Sequence, residues 1–103
     1  MDFKQKNIAL SALEFYGPEA QIIKAIEELA EVQQALAKYL NSSEKHTPLI
    51  DNILEEIADV YIMFAQMEAL FNGKGVKDVE TNIRLKIDRL YERIEEEKER
   101  NNV

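Results

Sequence analysis

Residues 18–40, PEAQIIKAIEELAEVQQALAKYL, decide the fold class. Ile22, Ile26, Leu29, Gln33, Leu36 and Leu40 recur at alternating steps of four and three, which is the period of a helix with one buried stripe. Gly17-Pro18 stops what precedes it and supplies a first-turn proline, and Glu19 follows at the positive end of the helix. The stretch therefore predicts a helix from Pro18 to about Leu40. On its N-terminal side, Ile8, Ala9, Ala12, Leu13 and Tyr16 space a first helix over about Phe3–Tyr16.

On its C-terminal side a polar connection, NSSEKHTP at 41–48, leads into a third helix, with Thr47 as its expected N-cap and Pro48 as its first helical residue. This helix, to about Phe71, carries no charge between Asp59 and Glu68 and should be the most buried element. A turn at Asn72–Gly75 precedes a fourth helix expected from Val76 to about Arg100, with Val79, Ile83, Ile87, Leu90 and Ile94 on one stripe. Its end, ERIEEEKER at 92–100, reads as a solvated helix end with Arg93–Glu97 and Glu96–Arg100 pairs, and the last residues should fray. No linker or long repeat divides the chain, so the expectation is a single all-α domain of four helices spanning 1–103.

Composition agrees. The 103 residues are 46% apolar and 8% aromatic, with no Trp and five Gly and Pro together, which suits helices and not a sandwich or barrel. The absence of cysteine removes disulfides, thiolate zinc sites and a Cys nucleophile. The start, MDFKQKN, has no apolar core after its lysines, and no stretch approaches the roughly 20 apolar residues that span a bilayer. A cytoplasmic protein without membrane partners is expected. Twenty acidic against thirteen basic residues leave a net charge of −7, which repels nucleic acid. Eight acids against three bases lie between Lys24 and Asp59, so most of the surplus is in the middle of the chain.

Two carboxylate blocks account for it: Glu27-Glu28-Leu-Ala-Glu31 on the second helix and Glu55-Glu56-Ile-Ala-Asp59 on the third. Glu28 and Glu31 share a face one turn apart, as do Glu56 and Asp59. If the two helices are antiparallel neighbours, these four carboxylates converge, while Glu55, opposite the Ile53/Ile57/Phe64 face, should see water. One such block alone would read as an ordinary solvated face; two on successive helices favour a site. Carboxylates about 6 Å apart at an effective dielectric of about 20 repel by roughly 3 kcal/mol per pair, so convergence calls for a cation. All-oxygen ligation suits Mg²⁺, with Mn²⁺ possible. A di-iron bundle would need Glu-x-x-His on two helices, and the only histidine, His46, is in the polar connection.

EELAE at 27–31 followed after 24 residues by EIAD at 56–59 resembles the E-E-x-x-E…E-x-x-D signature of the MazG-like, all-α nucleoside triphosphate pyrophosphohydrolases. The flanks FYGPEAQIIKAIEELAEV (15–32), NILEEIADVYIM (52–63) and NIRLKIDRLYERI (82–94) are similar to small members of that group, so the likeness runs from about Asn7 to Ile94. The resemblance implies a four-helix module, assembled as a homodimer or homotetramer. It implies Mg²⁺-dependent hydrolysis of a (deoxy)nucleoside triphosphate to the monophosphate and pyrophosphate, in nucleotide-pool housekeeping. By position it implies Glu28, Glu31, Glu56 and Asp59 as metal ligands and Glu27 as the residue that helps activate water. Asn82, Lys86 and Arg89, and on the same footing Gln21 and Lys24, are the implied substrate contacts. A non-catalytic nucleotide-binding or helical interaction module of the same fold is the alternative, and no residue identifies the base.

Overall fold

The computed structural model describes residues 1–102, and over them the chain is all-helical, with four helices and no strand. It falls into two compact units, Met1–Leu70 and a second beginning at Phe71. No helix among the described residues is long and apolar enough to cross a membrane.

In the first unit, α1 spans Phe3–Tyr16. Asp2 caps it reciprocally: its carboxylate accepts from the Gln5 amide at 2.8 Å while the Gln5 side chain accepts from the Asp2 amide at 3.0 Å. Gly17 ends α1 and begins α2. At φ +92°, where side-chain-bearing residues are strained, its N–H donates to the Leu13 carbonyl and its own carbonyl accepts from Gln21. With Pro18 next, two helices meet across a single residue.

Helix α2 runs Pro18–Asn41. Its C-terminal carbonyls are covered by Lys45, whose ammonium donates to the carbonyls of Tyr39 and Ser42 and lies 5.0 Å from the centre of the Tyr39 ring. Helix α3, Thr47–Phe71, starts one residue earlier than expected. The His46 carbonyl accepts from the amides of Leu49 and Ile50, so Thr47 is already inside the helix and Pro48, without an N–H, sits where none is required.

The buried face of α2 is a correction to the sequence reading. Gln21, Ala25, Glu28 and Ala35 are the buried residues, whereas Ile26 is 63% and Leu40 77% exposed, and Leu29 and Leu36 also face out. The two stripes are one residue out of phase, about 100° on the wheel, and both have helical period. The alanines permit a close approach of neighbouring helices, and this phase turns Glu28 inward. Helix α3 is likewise buried on one side only: Val60, Met63, Ala65 and Gln66 are inside, Tyr61 is 65% exposed, and Leu54 and Phe64 are open. It contributes as many buried residues as α2 rather than dominating the core.

In the second unit, α4 spans Val79–Asn101. It begins three residues later than expected because Asp78 is the cap: its carboxylate accepts from the Thr81 amide at 2.8 Å, which holds the Asp78 carboxyl below its ordinary pKa. The Asn72 side chain accepts from the Val79 amide, and Val76 is left in the turn. On the charged end the ion pair formed is Glu95–Lys98 at 3.5 Å, in place of the two expected pairs. Exposed arginines gain little from pairing and stay in solvent.

Candidate metal centre

Helices α2 and α3 run antiparallel with matched steps. Gln21 meets Gln66, with the Gln21 amide nitrogen donating to the Gln66 carbonyl oxygen at 2.7 Å. Seven and ten residues further along α2, Glu28 and Glu31 meet Asp59 and Glu56, which lie seven and ten residues earlier on α3. Each of the four offers an oxygen within 4.8 Å of the others. The expected convergence is therefore present in the fold.

Burial within the cluster is graded. Glu28 is only 6% exposed, Glu56 is half-buried, and Glu31 and Asp59 open toward solvent. The Oε1 atom of Glu28 lies 3.0 Å from the Lys24 ammonium, and that contact raises the Lys24 pKa. The Oε2 atoms of Glu28 and Glu56 are buried and have no hydrogen-bond partner. A buried carboxylate oxygen without a donor is costly, and a cation held among the four would satisfy both.

The crowding shows in proton affinity. The Glu31 carboxyl is raised by sharing a hydrogen bond with Glu56 and by the charges of Glu28 and Glu56. Asp59 is raised first by burial, then by the same two charges. Lys24 opposes this from the rim. Four anionic oxygens without nitrogen or sulfur match a hard cation, Mg²⁺ or Mn²⁺, better than Zn²⁺. His46 is exposed at the start of α3 and stands outside the cluster.

Beside the carboxylates a groove of about 380 Å³ is lined by Tyr16, Gln21, Ile23, Lys24, Glu27 and Met63. Glu27, the first acid of its block, opens into this groove rather than joining the four. Gln21 lines it too, yet its amide nitrogen is already committed to Gln66, so much of its polar capacity goes into fixing the α2–α3 register. Sequence reading passed over Gln66, the most deeply buried large side chain at 1% exposure. Its one signal was an amide within an otherwise apolar run. Tyr16, spaced with the apolar residues of the first helix, is exposed and lines the groove, and the buried Met63 lines it too. Glu55 is exposed, as its place on the wheel predicts.

Asn82, Lys86 and Arg89 lie on α4, in the second unit, and are exposed. The Asn82 amide donates to the Asp78 carbonyl at 2.9 Å, a local role at the start of the helix.

Comparison with protein-family models, with curated proteins and with solved structures finds no match.

Proposed function

We propose that the chain is a divalent-cation-dependent hydrolase that converts a (deoxy)nucleoside triphosphate to the monophosphate and pyrophosphate, in the cytoplasmic nucleotide pool. The observation that carries the reading is the set of four carboxylates from two antiparallel helices, one of them buried with an unpartnered oxygen. The likeness of EELAE…EIAD and its flanks to MazG-like pyrophosphohydrolases supplies the reaction type.

Glu28, Glu31, Glu56 and Asp59 would hold Mg²⁺ or Mn²⁺. When bound, that ion offsets the charge of both the carboxylates and the triphosphate and polarises the reacting phosphorus and a nearby water. The need for it follows from charge: a chain of net −7 repels a triphosphate carrying roughly four negative charges. Glu27, which lines the groove, would accept the proton of the attacking water. Lys24, at the same groove, keeps Glu28 oriented through their 3.0 Å contact and offers positive charge to an incoming phosphate. Gln21 lines the same groove. Asn82, Lys86 and Arg89 enter as phosphate contacts on the resemblance alone, in which the two cations would stabilise the departing pyrophosphate.

The reading includes a homodimer or homotetramer. Its motive is the large apolar side chains of α2 and α3 that a single chain leaves open, more than an isolated module usually exposes.

The test is pyrophosphate release across a panel of ribo-, deoxy- and modified triphosphates, with Mg²⁺, with Mn²⁺ and with chelator. Turnover should need the cation and should fall by at least 10²-fold in folded Glu56→Gln and Asp59→Asn variants. No pyrophosphate from any member of the panel would defeat the proposal. A ligand-induced rise in melting temperature without turnover would identify a nucleotide-binding module instead.

A further inference from the structure

Lys24 precedes Glu28 by one turn of α2, so the two side chains share a face, and the ammonium lies 3.0 Å from Glu28 Oε1. Among the described residues it is the one base paired with the four-carboxylate cluster; the other ion pair, Glu95–Lys98, is on α4. The two oxygens of Glu28 are thereby divided. Oε1 is committed to the ammonium, whereas Oε2 is buried without a donor, as is Oε2 of Glu56. One Mg²⁺ or Mn²⁺ drawing a single oxygen from each of Glu28, Glu31, Glu56 and Asp59 would use the unpartnered oxygens and leave Lys24 in place. The four carboxylates, that ion and the ammonium would then carry a single net negative charge.

A second ion would need further oxygens close by, since paired-metal sites hold their ions about 3.5–4 Å apart. The oxygen still open to it on the buried glutamate is Glu28 Oε1, and the acid that extends the set is Glu27, which lines the adjoining groove together with Lys24. The ammonium already stands among these groups: the charges of Glu28, Glu27 and Glu31 all raise its pKa. An Mg²⁺ bound to Oε1 at roughly 2.1 Å would lie within about 5 Å of the ammonium, and the two cations would contend for one oxygen. With 53% of its side chain exposed, Lys24 keeps its charge in water and its stem outside the core.

We propose that Lys24 stands in for a second divalent ion and limits the cluster to one ion per chain when no nucleotide is bound. The proposal rests on the reading that the four carboxylates hold a cation, and adds to it the number of ions and the residue that sets that number. Lys24 does this through Glu28, as a positioning residue.

The test is a Mn²⁺ titration of the full chain without nucleotide, with free and bound Mn²⁺ read by electron paramagnetic resonance and folding by circular dichroism. The native chain should bind one Mn²⁺, any second ion being held at least a hundredfold more weakly. Lys24→Met should bind two, the second at least tenfold more tightly than in the native chain, and its bound ions should show the broadened spectrum of a spin-coupled pair. Lys24→Arg keeps the charge and should return to one ion. Lys24→Gln removes the charge with a polar side chain and should match Lys24→Met, so a folding defect of one variant does not decide the result. Two comparably bound ions in the native chain would overturn the proposal and leave the cation reading standing, as would a single ion in both neutral variants. No bound Mn²⁺ in any of these chains would overturn both.

Discussion

Replacing Glu28 by Gln keeps the shape of the side chain and removes one negative charge from the most buried corner of the cluster. Oxygens of Glu28 and Glu56 at 4.8 Å, the outer limit of the cluster, repel by about 3.5 kcal/mol at an effective dielectric of about 20. Proton uptake by neighbouring carboxyls and the Lys24 contact relieve much of this in the metal-free chain, leaving a net gain of roughly 1–2 kcal/mol for Glu28→Gln. For a chain of this size each kcal/mol moves the melting temperature by about 4–8 °C. The variant should therefore melt above the native chain in chelator. Magnesium should reverse the order. At a hundredfold excess over its dissociation constant it stabilises the native chain by about 2.7 kcal/mol, and Glu28→Gln should lose most of that shift. Paired thermal melts with chelator and with Mg²⁺ measure both quantities. A Gln variant that melts below the native chain in chelator and keeps the full Mg²⁺ shift would show that the Lys24 contact satisfies Glu28 and that repulsion is not the governing term.

The raised carboxyls of Glu31 and Asp59 give a pH dependence of definite sign. The folded chain binds these protons more tightly than the unfolded chain, so their contribution is complete below the ordinary values of 4.5 and 3.8 and is lost as pH rises through the raised ones. In chelator, stability contributed by this pair should fall as pH rises above the ordinary carboxyl range, and Glu31→Gln with Asp59→Asn should flatten that fall in urea titrations. The depressed Asp78 acts oppositely, its contribution being lost only as pH drops below its ordinary 3.8, outside that window. Gln66→Leu should cost about 1–3 kcal/mol by leaving the buried Gln21 amide without an acceptor, and adding Gln21→Leu should recover much of it in a double-mutant cycle. Gly17→Ala should cost about 1–2 kcal/mol although nothing lies within 4 Å of the new methyl, because φ +92° is itself unfavourable for alanine; an unchanged urea midpoint would contradict this.

Much of this arrangement was legible from residue order. Gly17-Pro18 marked the break between α1 and α2 because only that pair both ends one helix and opens the next. The steps of three between Glu28 and Glu31 and between Glu56 and Asp59 fixed shared faces before any packing was known. The buried face of α2 was not legible, because Ile22/Ile26/Leu29 and Gln21/Ala25/Glu28 have the same period and hydrophobicity favours the wrong one. Alanine packing selected the phase, and it brought a glutamate inward where a pattern of aliphatic side chains would keep it out. The Gln21–Gln66 bond was hidden for a related reason: two amides 45 residues apart gain a partner only through the antiparallel register. At α4 the aliphatic Val76 suggested an early start, and the side chain of Asp78 set the later one. Roles for Asn82, Lys86 and Arg89 come from resemblance alone, since basic and polar residues on an exposed helix carry no spacing that names a phosphate.

The most direct measurement is the identity of the products. Phosphorus NMR of the chain incubated with Mg²⁺ and a responsive triphosphate should show resonances of the nucleoside monophosphate and pyrophosphate, growing together and absent in chelator. Nucleoside diphosphate with inorganic phosphate, or unchanged triphosphate across the panel, would contradict the account.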